Sequence, residues 1–317
     1  MEREFDFEKP IAEMEKAIEK LKTLAAENKE DFSDQIKELE RKCEERKKEV
    51  YDNLTPWQTV QVARHPKRPL LMNYISLVFS DFVELHGDRA FGDDQALIGG
   101  FAMLGDQKVM LIGHNKGSNV DENVKRNFGM ASPDGYRKAL RLMRLAEKFN
   151  IPIVTFIDTP GAFPGLDAEQ RGQAEAIARN LTEMARIEVP IVTIVTGEGG
   201  SGGALGIGVA DTVLMLSYAV YSVISPEGCA SILWRDAAYS PDAAEALKIT
   251  SKSLLELGVI DAIVEEPPGG AHCNHQQTAE SIKDELLKSL KKLSSYSTSK
   301  LLSRRFDKFA AMGKFNK

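Results

Sequence analysis

The chain has 317 residues, long enough for one large domain or two modest ones, and 43% of them are hydrophobic, which allows a sizeable core. A formal net charge of −6 at pH 7 argues against a chain-wide role in nucleic-acid binding. No stretch reaches about 18 uninterrupted apolar residues, and the N-terminus MEREFDFEKP lacks an apolar signal core, so we expect neither a membrane span nor a secretory signal.

The N-terminal segment, residues 11–50, is dense in Glu and Lys and contains no Gly or Pro. Apolar residues recur at three- and four-residue spacing, at Ile11, Met14, Ile18, Leu21 and Ala25 and again at Ile36, Leu39, Cys43 and Val50. The polar break ENKEDFSDQ offers Ser33 or Asp34 as an N-cap. The pattern predicts a helical hairpin over residues 1–54, either packed on the main domain or acting as a docking arm for a partner subunit.

Residues 55–149 show the signals of three helices and two strands. Thr55-Pro56-Trp57 predicts the start of a short helix. An amphipathic helix is expected over residues 70–85, and ALIGGFAML and KVMLIGH predict two strands around the turn Gly105-Asp106-Gln107. A polar stretch over 115–132 leads to Ser132-Pro133, which is expected to cap a basic helix over 133–149.

From residue 151 onward, short apolar strands alternate with helices. The predicted strands are IPIVTFID, PIVTIVT, TVLML, YSVIS and LGVIDAIV. The predicted helices are 168–188 capped by Asp167, about 201–210, a short one opened by Pro226, and 278–293. This alternation favours parallel βαβ units with right-handed crossovers and places a site at the carboxyl ends of the strands. The Ser- and Lys-rich tail from 295 is expected to fray.

The segment 197–208, GEGGSGGALGIG, holds seven glycines in twelve residues directly after a predicted strand. It contains GxGxxG, but the next strand does not end in the acidic residue that a dinucleotide-binding fold requires. No Gly-Lys-Ser/Thr follows, which excludes a phosphate loop of the usual kind.

The same segment matches the nucleophile elbow GxSxG, with Ser201 at its centre. Possible triad partners follow in the chain at Asp211, Asp236, Asp261, His272 and His275. A serine nucleophile gains nothing from the additional glycines, and PPGGAHCNH predicts an irregular loop rather than a framed catalytic histidine. Ser201 is equally typical of a helix N-cap, so a serine hydrolase remains an alternative.

A third hypothesis uses the backbone itself. Adjacent N–H groups at a helix N-terminus carry partial positive charge, and glycine lets a planar carbonyl approach them closely. Such donors stabilise negative charge that develops on an oxygen. Gly202, Gly203 and Ala204 stand where the first turn of the helix is expected to begin.

A second turn, DTPGAFPG over residues 158–165, follows the preceding buried strand. Neighbouring parallel strands are expected to bring both turns to one edge of the sheet. Gly161 and Ala162 then offer further backbone, and Phe163 an apolar wall for a flat ligand. The turn is also typical of a rigid Pro-Gly connector, and Asp158 is either a catalytic acid or the cap of its own loop.

Other clusters are less specific. His272-Cys273-Asn274-His275 is crowded and lacks a separated second pair, which argues against zinc. The scattered Cys43, Cys229 and Cys273 allow no disulfide framework and suit a reducing cytosol. His65, His86 and His114 are expected to be packing or loop residues, and Asp93-Asp94 a solvated turn. Lys116, Lys125, Arg126 and Arg137 form either a solvated surface or an attractive site for phosphates of a nucleotide-like carrier.

Several long motifs, taken together and in order, carry a resemblance to a known family. They are RHPKRPLLMNYI, GDRAFGDD, NFGMASPDGYRKALRLM, FIDTPGAFPG, GEGGSGGALGIG and YSVISPEGCASILW. From about residue 5 to 290 the chain closely resembles the carboxyltransferase alpha subunits of bacterial acetyl-CoA carboxylase.

The resemblance implies an α/β crotonase-like (ClpP/crotonase) fold over 55–294, a spiral of ββα units between the helical hairpin and a tail over 295–317. It implies an α2β2 carboxyltransferase whose beta subunit holds zinc on four cysteines. It also implies a cytoplasmic, ATP-dependent complex with biotin carboxylase and a biotin carboxyl carrier protein, which carboxylates acetyl-CoA to malonyl-CoA for fatty acid biosynthesis. No metal is expected in this chain.

The resemblance also assigns roles at the glycine segment. Gly202, Gly203 and Ala204 would donate to the ureido oxygen of biotin, while Gly161, Ala162, Phe163, Gly199 and Gly200 would line the biotin side. The ureido anion can itself remove the substrate proton, so Ser201 is then a turn residue. Besides the hydrolase, a stand-alone crotonase-type acyl-CoA enzyme and a purely structural subunit remain alternatives.

Overall fold

A computed structural model describes residues 5–28 and 32–313 of the chain. Two long helices in its N-terminal part, α1 (Lys9–Asn28) and α2 (Ser33–Asp52), pack against each other. Their small core joins Val62 and Tyr218, so the helices pack on the rest of the chain. Phe32 occupies the N-cap position of α2 and Ser33 is already helical, so the expected cap at Ser33 or Asp34 is wrong. Part of the break ENKEDFSDQ, residues 29–31, lies outside the described residues.

The centre of the fold is an eight-stranded sheet in the order β1-β2-β3-β4-β5-β6-β8, with β7 paired to β5. Its strands are β1 (Ser80–Glu84), β2 (Leu97–Leu104), β3 (Gln107–His114), β4 (Ile153–Thr159), β5 (Ile191–Gly200), β6 (Thr212–Leu216), β7 (Val220–Ser222) and β8 (Ala262–Val264). Strands β1 to β3 are antiparallel, and the pairings from β3 to β8 are parallel. The predicted parallel section is therefore confirmed.

The remaining helices surround this sheet. They are α3 (Pro56–Ala63), α4 (Leu71–Val78), α5 (Val120–Lys125), α6 (Pro133–Lys148), α7 (Leu166–Gln170), α8 (Gln173–Met184), α9 (Ser201–Leu205), α10 (Pro226–Leu233), α11 (Ser240–Leu247), α12 (Ser251–Glu256), α13 (His275–Leu293) and α14 (Thr298–Ala310). Thr55 caps α3 in a capping box with Gln58, as its sequence predicts. Within the described ranges, every helix is too short or too polar to cross a membrane.

Several predicted boundaries are wrong where tertiary contacts override local pattern. The helix expected over 70–85 ends at Val78, because the next residues pair with β2 as an edge strand. The helix expected over 168–188 is split into α7 and α8 at Gly172, whose φ of 85° breaks the helix. Its N-cap is Gly165 rather than Asp167. The glycine-opened helix α9 ends at Leu205 instead of about 210.

The central strands are buried on both faces, as their near-continuous apolar sequences predict. Helix α6 packs against β2 and β3 and also against α8, while α13 packs against α4, β5 and β8. The polar pair Thr155 and Thr193 is satisfied inside this core by a hydrogen bond of 2.6 Å between its hydroxyl groups. This frame fixes the ends of β4 and β5 relative to each other.

The C-terminal segment is docked, so the expected fraying of the tail is wrong for Thr298–Ala310. Leu301 and Arg305 of α14 are buried. The Arg305 guanidinium donates to the carbonyl groups of Met184, Ile187 and Val189 and pairs with Asp211 at 2.7 Å. Local composition could not predict this anchoring, because the partner residues lie about a hundred positions earlier in the chain.

The loop containing Asp93-Asp94 is also structural rather than a solvated turn. Asp94 is buried, and its carboxylate accepts backbone N–H bonds from Ala96 at 2.9 Å and Ser132 at 2.7 Å. Burial raises the pKa of Asp94 to about 6 in spite of these bonds. Asp93 pairs with the fully buried Lys138 of α6. The loop therefore ties the N-terminus of α6 to the sheet.

Candidate active site

The two glycine-containing turns meet at the carboxyl edge of the sheet. Thr159 at the end of β4 is the register partner of Gly199 in β5. A methyl group on Gly200 would lie 2.1 Å from the Pro160 carbonyl oxygen. One on Gly203 would lie 2.4 Å from the carbonyl carbon of Gly161. The turns thus touch backbone to backbone, and only glycine permits this approach.

The first turn of α9 leaves the backbone N–H groups of Gly202 and Gly203 without an acceptor within the helix, whereas the N–H of Ala204, the third predicted donor, reaches back to the Gly200 carbonyl as the first helical bond. Gly202 is half-buried, and a methyl group there would make ordinary contact with Ile177 at 3.6 Å. Gly203 and Ala204 are buried against the opposite turn. Of the three predicted donors, Gly202 therefore lies nearest the surface.

The opposite turn presents Gly161, Ala162 and Phe163, all half-buried. The N–H group of Gly161 donates to the Thr159 hydroxyl at 3.2 Å, so this predicted group is already engaged. The Ala162 nitrogen would lie 2.6 Å from a methyl group on Gly203, which places it beside α9. The Phe163 ring packs over Gly165. These residues form one wall beside the α9 N-terminus.

Gly199 and Gly200 do not lie in this wall. Gly199 is buried inside β5, where a methyl group would lie 2.6 Å from the Tyr221 ring. Gly200 is half-buried against Pro160. The structure therefore gives both glycines close contacts that hold the turn in place.

A chain of half-buried ion pairs supports the two turns and was not predicted as a unit. Lys116 Nζ lies 2.7 Å from Asp158 Oδ1 and 3.5 Å from Glu198 Oε2. Arg64 then links Glu198, at 2.7 Å, to Glu227, at 2.5 Å. The Asp158 carboxylate also accepts the Glu198 N–H at 3.0 Å. Asp158 therefore joins the ends of β4 and β5 and is not a free catalytic acid.

Lys116, the most buried residue of the predicted basic group, is not free to bind an anion. Burial opposes a charge on Lys116, but the Asp158 and Glu198 carboxylates outweigh this effect and raise its pKa. Arg126 donates to the Lys116 carbonyl at 3.0 Å, and Arg137 to that of Arg171 at 2.5 Å. Lys125 lines a separate cavity of about 350 Å³.

The residues of the hydrolase hypothesis are not assembled around Ser201. Asp211 accepts the N–H of Ile191, at the start of β5, whereas Ser201 follows the end of that strand. Asp261 lies at the same far edge, where it accepts the Val213 N–H. The structure therefore does not support a Ser-His-Asp triad with these aspartates.

The other proposed partners are occupied elsewhere. Asp236 accepts the Ala238 N–H in a short helical turn. His272 stacks on His65 at 3.8 Å, and His275 Nε2 hydrogen-bonds the Lys67 carbonyl at 3.0 Å. The described residues contain no group of three or more His, Cys, Asp or Glu side chains placed to hold a metal ion.

His114, at the end of β3, is 1% exposed, and its ring lies beside the backbone of Gly203 and Phe156 without a well-formed hydrogen bond at either nitrogen. Burial, aided by nearby Lys116, lowers its pKa to about 3. The unfolded chain takes up a proton near pH 6.5, and the folded chain does not until about pH 3. Stability from this residue is therefore complete above pH 6.5 and is lost as the pH falls.

The free energy of unfolding should fall as the pH is lowered from 6.5 to 5, and we expect this fall to be about 2 kcal/mol smaller in His114→Phe. A histidine whose pKa is lowered by folding contributes about 1.4 kcal/mol per pH unit in this range. Denaturant unfolding of both proteins across this range measures the difference. Parallel pH dependences for the two proteins would show that His114 titrates normally.

Comparison with known proteins identifies the family. Residues 4–313 match the family described as "Acetyl co-enzyme A carboxylase carboxyltransferase-like". The chain belongs to this family. The acetyl-coenzyme A carboxylase carboxyl transferase subunit alpha of Geobacter metallireducens is 54% identical over 312 residues, covering 98% of both chains. The agreement confirms the resemblance carried by the sequence motifs.

Solved structures place the carboxyltransferase-like chain in the crotonase-like fold. A chain of a Pseudomonas malonate decarboxylase hetero-tetramer in complex with coenzyme A aligns with a TM-score of 0.57 at 16% identity, covering 70% of this chain and 89% of that one. Transcarboxylase 12S aligns with a TM-score of 0.54 at 22% identity over 68% of this chain, which spans only 40% of the transcarboxylase chain. The predicted fold class is confirmed.

Proposed function

We propose that this chain is the alpha subunit of an acetyl-CoA carboxylase carboxyltransferase. With a beta subunit in an α2β2 assembly, it transfers a carboxyl group from carboxybiotin on a biotin carboxyl carrier protein to acetyl-CoA and so yields malonyl-CoA. Biotin carboxylase completes the larger cytoplasmic complex, and the zinc belongs to the beta subunit. Family membership supports this proposal, and so does the site geometry.

The observation that carries the proposal is the backbone contact between the two turns. Gly200 and Gly203 lie so close to residues 160–162 that no side chain fits between them. Such a site offers peptide N–H groups, without a nucleophile, to a flat, weakly basic group. The ureido ring of biotin has this shape, so the residues present fit the proposed substrate.

In the proposed mechanism, loss of the carboxyl group from carboxybiotin leaves negative charge on the ureido oxygen. The N–H groups of Gly202 and Gly203 donate toward this oxygen, with Gly202 the nearer to the surface, while the N–H of Ala204 is engaged within α9. Gly161, Ala162 and Phe163 line the flat faces, while Gly199 and Gly200 support the turn. Prealigned donors of this kind are worth about 3 kcal/mol each in the transition state.

The test is biocytin-dependent decarboxylation of malonyl-CoA by the purified chain, first alone and then mixed with a candidate beta subunit. We expect activity only in the mixture, because this chain supplies one side of a two-subunit site. Activity of the chain alone would instead favour the stand-alone crotonase-type acyl-CoA enzyme.

Ser201→Ala is expected to keep the activity of the mixture within about 3-fold, because the backbone N–H groups remain, whereas losing a serine nucleophile costs about 10⁶-fold. Ser201 has a φ of 45°, a left-handed conformation that glycine adopts without strain. Ser201→Gly should therefore raise the free energy of unfolding by up to about 1 kcal/mol. Fluorophosphonate labelling of Ser201, or inactivity of the alanine variant, would restore the hydrolase hypothesis.

A further inference from the structure

Gln173 lies behind the Phe163 turn, and no sequence motif pointed to it. It is the first residue of α8 and follows Gly172. The corner that carries it is rigid: Arg171 pairs with Asp134 and with Asp167, the latter at 2.9 Å. The Arg171 pairs therefore link the corner that carries Gln173 to α6 and α7.

The Gln173 side chain joins two segments that are distant in sequence. Its Nε2 donates to the carbonyl oxygens of Ala131, at 2.8 Å, and Phe163, at 2.9 Å. The Phe163 N–H also donates to the Ala131 carbonyl, at 3.0 Å. The amide orientation is unambiguous, because the opposite one would place an oxygen against two carbonyl oxygens.

The Gln173 amide therefore fixes the Phe163 carbonyl directly. It fixes the Phe163 N–H indirectly, because it also holds the Ala131 carbonyl that accepts this N–H. The other amide atom, Gln173 Oε1, is buried without a partner, so the side chain is held by its two donated bonds alone. Such a geometry leaves the phenyl ring as the part of the Phe163 residue that can contact a ligand.

We propose that Gln173 is a positioning residue that fixes the Phe163 turn and thereby sets the apolar wall of the biotin side. The inference rests on the proposed function for the identity of the ligand. The Gln173 clamp, meaning the two hydrogen bonds from Gln173 Nε2 to the Ala131 and Phe163 carbonyl oxygens, is a property of this chain. Gln173 acts through Phe163 and does not contact the reacting atoms.

The experiment compares Gln173→Met and Gln173→Glu in the mixture with the beta subunit. We expect Gln173→Met to raise the KM for biocytin about 10-fold, with kcat changed less than about 3-fold and the KM for malonyl-CoA unchanged, as for a lost ground-state contact. A carboxylate at 173 repels both carbonyl oxygens, so Gln173→Glu should be weaker still at pH 8 and partly recover at pH 6 as the acid regains an O–H donor.

Two further variants separate this role from general destabilisation. Gln276→Met, at an exposed glutamine of α13 that bonds only Glu280, is the matched control and should leave both KM values unchanged. Gly165→Ala would place a methyl group 2.3 Å from the Phe163 ring and should raise the biocytin KM without touching Gln173.

Amide hydrogen exchange provides a readout independent of activity. Gln173→Met should speed exchange of the Phe163 N–H about 10-fold, while the core strands stay protected. Unchanged exchange and an unchanged biocytin KM in Gln173→Met would overturn the proposal, as would a loss in kcat with both KM values unchanged. If the wild-type mixture is inactive but Gln173→Met still speeds exchange of the Phe163 N–H, the proposed function fails and only the Gln173 clamp stands.

Discussion

Gly203→Ala is expected to lower biocytin-dependent decarboxylation of malonyl-CoA by at least about 100-fold in the mixture with the beta subunit, the loss that follows removal of one oxyanion donor. The added methyl group would lie 2.4 Å from the carbonyl carbon of Gly161 and 2.6 Å from the Ala162 nitrogen. Backbone atoms cannot rotate away as a side chain does, so the two turns must separate. The N–H groups of α9 then lose their alignment.

The effect should be confined to the turns. Gly203 lies at the edge of the sheet, and the strands behind it are held by their own buried core. The variant is therefore expected to fold and to bind the beta subunit, with a loss in kcat rather than in assembly. Size-exclusion chromatography of the mixture, together with its kinetics, separates these two outcomes.

Gly92→Ala is the matched control, because a methyl group at Gly92 meets no atom within 4 Å. Gly202→Ala probes the site more closely: its methyl group makes only ordinary contact with Ile177 at 3.6 Å, and the backbone donor remains. Both proteins should fold normally. Full activity of Gly203→Ala would refute the backbone-donor mechanism, whatever the controls show.

Arg305→Ala is expected to lower the free energy of unfolding by about 3–5 kcal/mol, the usual result of removing one partner from a buried ion pair. Asp211 would remain buried without its cation, and the carbonyl groups of Met184, Ile187 and Val189 would lose their donor. Helix α14 should then detach. Thermal and denaturant unfolding measure the loss.

Arg304→Ala is the control on the same helix, because Arg304 is exposed and lies over the Tyr296 ring at 5.0 Å. Its effect should stay below about 1 kcal/mol. Equal stabilities of the Arg304 and Arg305 variants would mean that Arg305 does not anchor α14. Limited proteolysis near residue 298 provides a direct view of detachment.

Local sequence pattern was sufficient for the elements whose character is set by nearby residues. The apolar run IPIVTFID and the capping residues Thr55-Pro56 predict structure because burial and capping act within one strand or one turn. The turns at 158–165 and 197–208 were predicted to share an edge for the same reason: parallel neighbours end on the same side. The long motifs also identified the family.

Tertiary structure decided what depends on residues far apart in the chain. Residues 80–84 become an edge strand because β2 offers a partner, and the tail becomes a helix because Arg305 finds carbonyl groups about 120 positions away. The ion-pair chain from Lys116 to Glu227 and the Gln173 clamp carry no local signal, since each charge or amide is ordinary in its own segment. Sequence thus determined the strands and the site's edge, and only folding determined which side chains hold that edge in place.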